Sequence, residues 1–342
     1  MTFETEDRAA LRESVRSLLA RHSDSAAVRK AITLPDGYDA DLWQKLVEQI
    51  GVAALAVPEE YDGVGASLAE THVVLEELGR TLTPSPMLGS AVLAAQALLL
   101  SGDTDACTRL LPGIAAGEIA AVCWASEAGW STPGVVLEGG RLDGTAHYVL
   151  GGDVATTLLV LAADGDDVAL VEVDPDADGV VRRRVPTMDP TRTLAEVRFE
   201  GVTGRRLAAA AAVALIALSA EQVGAARAAL DLTVEYSKNR RQFGRVIGSF
   251  QALKHRMADM YALVETARSM SYAAALSQDT QDAYAAKVYC SEAFEQVAAE
   301  AIQLHGGIAI TWEHDAQLYF KRAHGAAQLF GQPREFVTAI AR

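Results

Sequence analysis

The stretch that decides the fold is RRQFGRVIGSFQ, residues 240–251, which follows a long apolar segment with helical periodicity. One interpretation is a helix end, in which Arg240 and its basic neighbours favour the negative end of the helix dipole. Gly244 then supplies a left-handed cap, and Ser249 caps the next helix. The alternative is that the arginines and the N-terminus of that next helix form a pocket for phosphate. Composition alone favours the helix end.

A second candidate segment is QLHGGIAITWEHD, residues 303–315, which follows another long helical stretch. In the simplest interpretation its two glycines, Gly306 and Gly307, end that helix. They also allow another molecule to approach the backbone closely, with Gln303 placed to form a hydrogen bond. His305 and His314 have a spacing that matches no metal-ligand pattern, so we predict no metal site.

Outward from these segments, hydrophobic periodicity divides the chain into three regions. Apolar residues recur at helical spacing through the first hundred residues, and Ser67 with Glu70 predicts a capping box for a helix that ends at Gly79. Leu88 to Leu100 is apolar enough to predict a core helix. Residues 119–202 contain short runs rich in Val, Leu and Thr between turn formers, which predicts six to eight β-strands.

Helical periodicity returns after Gly204 and predicts helices near 207–240, 249–277, 281–304 and 334–341. Helices that long and that rich in alanine pack best as a bundle. We therefore expect an α+β protein of three domains. They are an N-terminal α-helical domain (1–117), a middle β domain (118–204) and a C-terminal four-helix bundle (205–342).

Composition excludes several classes of protein. The 342 residues carry a formal charge of −15, which disfavours a nucleic-acid partner because phosphate backbones are bound by neutralising them. Three scattered cysteines predict neither disulfides nor a zinc site. The N-terminus is acidic where a signal peptide is basic, and the uncharged run from Leu207 to Ala220 is shorter than the roughly 20 residues of a membrane span. We expect a cytoplasmic protein.

The two segments, in this α–β–α order, resemble the acyl-CoA dehydrogenase family. The chain matches that family's pattern Arg-x-x-Phe-Gly-x-x-Ile-x-x-x-Gln up to Gln251 and Gln-x-x-Gly-Gly from Gln303, and PEEY (58–61) and EELG (76–79) resemble its N-terminal domain. The resemblance implies FAD bound between the subunits of a tetramer and oxidation of an acyl-CoA thioester to the 2,3-enoyl-CoA. It also implies that these motifs bind the dinucleotide half of a neighbouring subunit's FAD. The implied residues are Arg240, Phe243, Gln251, Gln303, Gly306 and Gly307.

The chain departs from the family pattern where a subunit's own flavin ring is held. The family loop Thr-Glu-Pro-Gly-x-Gly-Ser-Asp corresponds here to SEAGWSTP, residues 126–133, in which Ser126 keeps the hydroxyl but the Pro, second Gly and Asp are missing. The family strand Trp-Ile-Thr corresponds to Tyr148-Val149-Leu150, and Leu150 has no group for the flavin hydrogen bond. These changes are either tolerated drift or the loss of a flavin site, and the second interpretation is favoured.

The catalytic base is a larger departure. The family places a Glu either before a Gly downstream of the second motif or on the long helix before the first motif. Phe330 and Ala214 occupy these two positions, and neither side chain accepts a proton. No catalytic residue is therefore predicted in this chain, unless the base has moved to Glu221, Glu313 or Glu335.

Three hypotheses follow from this resemblance. In the first, the chain completes the FAD site of a paralogous catalytic subunit in an α2β2 acyl-CoA dehydrogenase, as in actinobacterial steroid side-chain degradation. An electron-transfer flavoprotein or a similar acceptor then reoxidises the flavin. In the second, the chain is a homotetrameric enzyme with a relocated base. In the third, it is a binding or scaffold protein without redox chemistry.

Overall fold

The computed structural model describes residues 5–207 and 214–340. Helices come first, a mixed β-sheet occupies the middle, and long helices follow, so the predicted α+β architecture is confirmed. The predicted domain limits at 117/118 and 204/205 stay a prediction. By packing, the described residues divide instead into two compact units, which are treated separately below.

The elements are numbered in chain order. The α-helices of the described residues are α1 (Glu6–His22), α2 (Ser25–Ile32), α3 (Ala40–Ile50), α4 (Leu68–Thr81), α5 (Ala95–Ser101), α6 (Thr104–Ala115), α7 (Ala214–Asn239), α8 (Gln251–Ser277), α9 (Thr280–His305), α10 (Ala316–Gln328) and α11 (Pro333–Ile340). The strands are β1 (Ala120–Cys123), β2 (Ala125–Ser126), β3 (Gly129–Pro133), β4 (Val135–Glu138), β5 (Arg141–Leu150), β6 (Thr157–Asp164), β7 (Asp167–Val173), β8 (Val180–Val185), β9 (Leu194–Val202), β10 (Arg205–Leu207), β11 (Arg241–Gln242) and β12 (Arg245–Val246).

The first unit, called here the sheet unit, comprises the described residues among 31–71 and 84–214. Its eight-stranded sheet has the order β10-β7-β6-β4-β5-β9-β8, with β1 paired in parallel to β6. Strand β6 reads as a continuous apolar run because both of its faces are buried. Leu158 and Val160 enter one hydrophobic cluster, whereas Leu159 and Leu161 enter a second cluster on the opposite face.

The second unit, called here the helical unit, comprises the described residues among 1–30, 72–83 and 215–342. Its core is formed by α7, α8, α9 and α10, whose facing positions are largely alanine, valine and leucine. Two glycines allow α4 and α7 to approach closely. A Cβ on Gly79 would lie 2.2 Å from the carbonyl oxygen of Glu221, and one on Gly224 would lie 1.8 Å from that of Glu76.

Several local expectations differ from the structure. The capping box is present, since the Ser67 N–H donates to Glu70 at 2.9 Å, but α4 continues past Gly79 to Thr81. Gly79 is therefore required by helix packing and does not end the helix. The predicted core helix at 88–100 consists of a π-helical segment, Met87–Ala94, followed by α5.

The count of elements also differs. Residues 119–202 hold nine strands, where six to eight were expected. Seven of them fall within that expectation, and the short β2–β3 hairpin accounts for the other two. No helix was predicted at α10, because its polar residues obscure the periodicity. Leu207, at the start of the helix predicted near 207–240, is instead the last residue of β10. Residues 208–213 lie outside the described part of the chain, and α7 is described from Ala214.

A buried polar chain joins three helices of the helical unit. His72 Nε2 lies 2.7 Å from Ser271 Oγ, which lies 2.5 Å from Ser219 Oγ, and Ser219 donates to the carbonyl of Ile216 at 2.7 Å. Because each hydroxyl has one proton, the chain runs in one direction, with the His72 Nε2–H as its first donor. Burial lowers the pKa of His72 to about 3, so the imidazole is neutral.

We expect this histidine to make stability depend on pH. Below pH 6.5 the unfolded chain binds a proton that folded His72 refuses, so the free energy of unfolding falls by about 1.4 kcal/mol per pH unit between about pH 6 and about pH 3. His72→Gln removes this pH dependence. Measured by urea unfolding, the decrease in the free energy of unfolding from pH 7 to pH 5 should therefore be about 2 kcal/mol smaller in the variant than in the wild type. Exposed His22 is the control: His22→Gln should leave the pH slope unchanged. Equal slopes for His72→Gln and wild type would contradict the prediction.

Candidate functional site

The first candidate segment forms a tight β-hairpin directly after α7. Strands β11 and β12 pair through Gln242 and Arg245, and the turn residues Phe243 and Gly244 have φ values of 52° and 78°. A two-residue hairpin turn of this kind needs positive φ at both central positions. The Ile247 N–H donates to the carbonyl of Arg240 at 2.8 Å and closes the loop.

This geometry corrects the helix-end interpretation in two details. Gly244 serves the hairpin turn, because α7 has already ended at Asn239. Ser249 does not cap α8, since its hydroxyl donates to the carbonyl of Val246 at 2.7 Å and the N-cap residue is Phe250, without a side-chain cap. The N-terminal N–H groups of α8 therefore have no side-chain cap from Phe250.

The hairpin presents positive charge and an apolar side chain to the outside. Arg240, Arg241 and Arg245 are exposed and form no ion pair with any carboxylate in the described ranges. The Arg245 guanidinium lies 3.9 Å from the centre of the Phe250 ring. Phe243 is 92% exposed, which is unusual for a large apolar residue held at positive φ.

The second candidate segment begins where α9 ends. Gly306 has φ 68° and ψ −149°, a conformation that essentially only glycine adopts. A Cβ on Gly306 or on Gly307 would meet no atom within 4 Å, so their backbone faces open space. Gln303 is exposed in the last turn of α9, and Ile310 and Trp312 are exposed just beyond.

The structure brings the two segments together. Tyr236, one turn before Arg240 on α7, has its ring centre 4.4 Å from that of His305, the residue before Gly306. Gln251, the last residue of the first motif, is exposed at the start of α8, and its amide nitrogen lies 3.3 Å from His255 Nε2. The residues predicted for a dinucleotide are thus on exposed segments, two of which are joined by a ring contact.

Ser126 lies elsewhere, in the sheet unit, and its surroundings differ in kind. Its hydroxyl lies 3.3 Å from the Gly129 carbonyl and 3.3 Å from Thr132 Oγ1, within the β2–β3 hairpin. The Tyr148 hydroxyl donates to the carbonyl of Glu127 at 3.2 Å, and its ring lies 5.9 Å from that of Trp130. The polar groups at the predicted flavin-ring position are therefore bound to one another.

The two predicted base positions have no proton acceptor in their side chains. Phe330 follows α10 with φ 62° and packs against a hydrophobic cluster that includes Leu215 and Ile216. Ala214 immediately precedes these two residues, at the start of α7. The Phe330 side chain thus packs against apolar neighbours, but a Cβ on the next residue, Gly331, would lie 3.3 Å from the Glu335 carboxylate, so a carboxylate lies close to this turn.

The three alternative carboxylates differ in their surroundings. Glu221 is buried on α7, and its carboxylate lies 3.8 Å from the buried guanidinium of Arg322. Glu313 lies in the exposed turn before α10, and Glu335 is exposed in the first turn of α11. Glu221 is held by an ion pair and Glu313 is exposed, whereas Glu335, although exposed, has its carboxylate beside Gly331, the residue after Phe330. Of the three, Glu335 is therefore the one shown next to a predicted base position.

Lys287, which holds the backbone just before Phe330, was not predicted from the sequence. Its side chain is fully buried, and its Nζ donates to the carbonyls of Ala326, Ala327 and Leu329 at 3.0, 3.0 and 2.8 Å. These carbonyls lie at the C-terminal end of α10, where intrahelical partners are lacking. The available signal was a lysine within the apolar stripe of α9.

Comparison with known proteins identifies the family. Models of the acyl-CoA dehydrogenase N-terminal and C-terminal domains match residues 5–118 and 206–334. The chain is 45% identical over 334 residues to the acyl-CoA dehydrogenase IpdE2 of Mycolicibacterium smegmatis, covering 97% of this chain and 96% of that protein. The chain belongs to the acyl-CoA dehydrogenase family, an oxidoreductase family whose members are FAD-dependent flavoproteins.

Solved structures give the same result. The ChsE4-ChsE5 complex from Mycobacterium tuberculosis contains a chain that matches with a TM-score of 0.91 and 28% identity, covering 100% of this chain and 98% of that one. A variant of the Tcur3481-Tcur3483 steroid ACAD matches with a TM-score of 0.90 and 31% identity, covering 98% and 97%. No helix in the described part of the chain is long and apolar enough to cross a membrane.

The residues present fit one half of FAD better than the other. Exposed guanidinium groups suit a pyrophosphate, and the open backbone at Gly306 and Gly307 allows close approach. At the position predicted for the flavin ring, by contrast, Ser126 and Tyr148 already have internal partners and Leu150 has no polar side-chain atom.

We expect Lys287→Met to destabilise the chain. The substitution keeps the volume but leaves three buried carbonyl oxygens without their charged donor, so the free energy of unfolding should fall by about 2–4 kcal/mol. Urea unfolding of the purified chain measures this loss. Lys254→Met, at an exposed position on α8, is the matched control and should change stability by less than about 0.5 kcal/mol. Equal effects of the two substitutions would show that the capping contact contributes nothing.

Proposed function

We propose that this chain is the half-site subunit of a heteromeric acyl-CoA dehydrogenase, in which it completes the FAD site of a catalytic paralogue. The observation that carries this proposal is a contrast within the chain. The segments that match the family's dinucleotide contacts are exposed and open, whereas the positions that match the flavin-ring contact and the base are closed by internal contacts or apolar.

Each residue has a role in the proposed assembly. Arg240, with Arg241 and Arg245, binds the pyrophosphate through charge-assisted hydrogen bonds. Gln303 and the backbone of Gly306 and Gly307 contact the adenosine side. When bound, FAD supplies the hydride acceptor for α,β-desaturation of an acyl-CoA thioester. The proton acceptor for that reaction belongs to the paralogue.

The relatives support a heteromeric assembly. One similar structure is described as a complex of two named chains, and another as a two-component steroid ACAD. We extend these descriptions to the present chain as an α2β2 tetramer acting on an acyl-CoA, with a steroid side-chain CoA as the suggested class. A cytoplasmic location and reoxidation by an electron-transfer flavoprotein or similar acceptor complete the proposal.

The proposal predicts different properties for the chain alone and in its complex. Purified alone, the chain should contain less than stoichiometric FAD and show no acyl-CoA dehydrogenase turnover. Co-expressed with its paralogue, it should copurify as a yellow, active complex, measured by flavin absorbance and by reduction of an artificial electron acceptor. Stoichiometric FAD and full activity in the lone chain would exclude the proposal. A colourless complex would instead support a scaffold without redox chemistry.

The role of Arg240 can be separated from assembly within the same complex. Arg240→Ala removes a charge-assisted contact, so the Kd for FAD should rise about 10- to 100-fold. Lys238→Ala removes an exposed cation two positions earlier, one paired with Glu235, and is the matched control with less than a twofold effect. Complex formation is checked for both variants by size-exclusion chromatography.

The alternative of a homotetramer with a relocated base makes a separate prediction. Under our proposal, Glu313→Ala and Glu335→Ala leave turnover of the complex within about twofold, since both side chains are exposed. Glu221→Gln keeps the shape next to Arg322 but removes the charge, and turnover per folded complex should again be retained. A loss of turnover of 100-fold or more in any one variant, with FAD content and melting temperature unchanged, would favour the relocated base.

A further inference from the structure

His305 is a buried histidine directly beside the proposed FAD contacts. It is the last residue of α9, only 4% exposed, and its Nδ1 lies 2.7 Å from the carbonyl oxygen of Ala301. Because a carbonyl only accepts, Nδ1 carries the proton and donates it. Burial lowers the pKa of His305, so the ring is neutral, and hydrogen bonding to the backbone of Ala301 and Leu232 opposes that shift only in part.

The His305 ring contacts two other rings. Its centre is 4.4 Å from that of Tyr236 on α7 and 4.5 Å from that of His314 in the turn before α10, with interplanar angles of 34° and 54°. The Tyr236 and His314 rings also meet each other edge-on, with their centres 6.0 Å apart. The three rings therefore form a compact cluster in which each ring contacts the other two.

Tyr236 and His314 are each connected to a neighbouring segment of the chain. The Tyr236 carbonyl accepts from the Arg240 N–H at 2.9 Å, so the position of this tyrosine sets the start of the hairpin. The His314 Nδ1 accepts from the Ala316 N–H at 3.2 Å, at the start of α10. The next residue, Asp315, is 2.6 Å from the guanidinium of Arg29. The cluster of three rings therefore joins the hairpin, the Gly306–Gly307 turn and the start of α10.

We propose that His305 is a positioning residue, whose buried ring sets the spacing between the segment that carries Arg240 and the segment that carries Gly306 and Gly307. The inference rests on the proposed function, since it concerns how the two FAD-binding segments are held. The ring of His305, more than its hydrogen bond, sets this spacing. The Nδ1 hydrogen bond is secondary, because the Ala301 carbonyl lies within α9, where a backbone N–H four residues on can also bond to it.

Two substitutions at His305 separate the ring from the hydrogen bond. In apo complex reconstituted with FAD and followed by flavin fluorescence, His305→Ala should raise the Kd for FAD about tenfold, since it removes two ring contacts. His305→Phe keeps a ring of similar size but not the donor, and should raise the Kd less than about threefold. Exposed His22→Ala, on α1, is the control and should have no effect.

A third substitution tests the remaining histidine of the ring cluster. His314→Ala leaves His305 in place but removes one neighbouring ring, so the Kd should rise about three- to fivefold. The increase in Kd for the double variant should be smaller than the product of the two single effects, because both single variants lose the same His305–His314 contact. Melting temperatures of all variants distinguish a local change in FAD affinity from general unfolding.

The outcomes separate this inference from the proposed function. If Arg240→Ala weakens FAD binding but His305→Ala stays within twofold of the wild type, the positioning role is wrong and the half-site proposal stands. If His305→Phe is as weak as His305→Ala, the ring spacing is not what matters, and the inference is again overturned. If Arg240→Ala has no effect on FAD affinity, both the proposed function and this inference fail.

Discussion

The close packing of long helices in the helical unit fixes the position of every segment discussed as a dinucleotide contact or a base. Buried alanines such as Ala229 and Ala301, together with Gly224, allow these helices to approach closely, and large side chains such as Phe294 fill the remaining space. The hairpin begins where α7 ends, the Gly306 turn where α9 ends, and the Phe330 turn where α10 ends. Helix ends leave backbone groups unsatisfied, so each must be completed by something specific.

The contacts made at these helix ends explain what the sequence could and could not predict. Periodicity and the two motifs were sufficient for the α–β–α order, for the long helices and for the family. The roles of individual glycines were not accessible, because Gly79 and Gly244 have the same local signature as helix-ending residues. Only the approach of Glu221 to Gly79, and the pairing of Gln242 with Arg245 around Gly244, distinguish them. Lys287 was missed for a related reason, since its three acceptors lie about 40 positions away along the chain.

The contrast between open and closed segments has a physical basis. Phe243 and the arginines are exposed, and these arginines have no carboxylate partner among the described residues, so an anion that approached the hairpin would meet guanidinium groups that are solvated and not already paired. Ser126 and Tyr148 show the opposite arrangement, with each hydroxyl already satisfied close by in the sheet unit. A ligand that needs these hydroxyl protons would have to replace hydrogen bonds within the protein, whereas at the hairpin it would replace hydrogen bonds to water.

The turn at Phe330 shows that the shape of a base position and its chemistry are separable. A left-handed conformation costs a non-glycine residue about 1–2 kcal/mol, and phenylalanine is not favoured there. The conformation persists because Lys287 binds the carbonyl of Leu329, one residue earlier, and because the Phe330 ring packs beside Leu215 and Ile216. Neither contact requires a carboxylate. The backbone of the predicted base turn can therefore be kept while a side chain that cannot accept a proton occupies it.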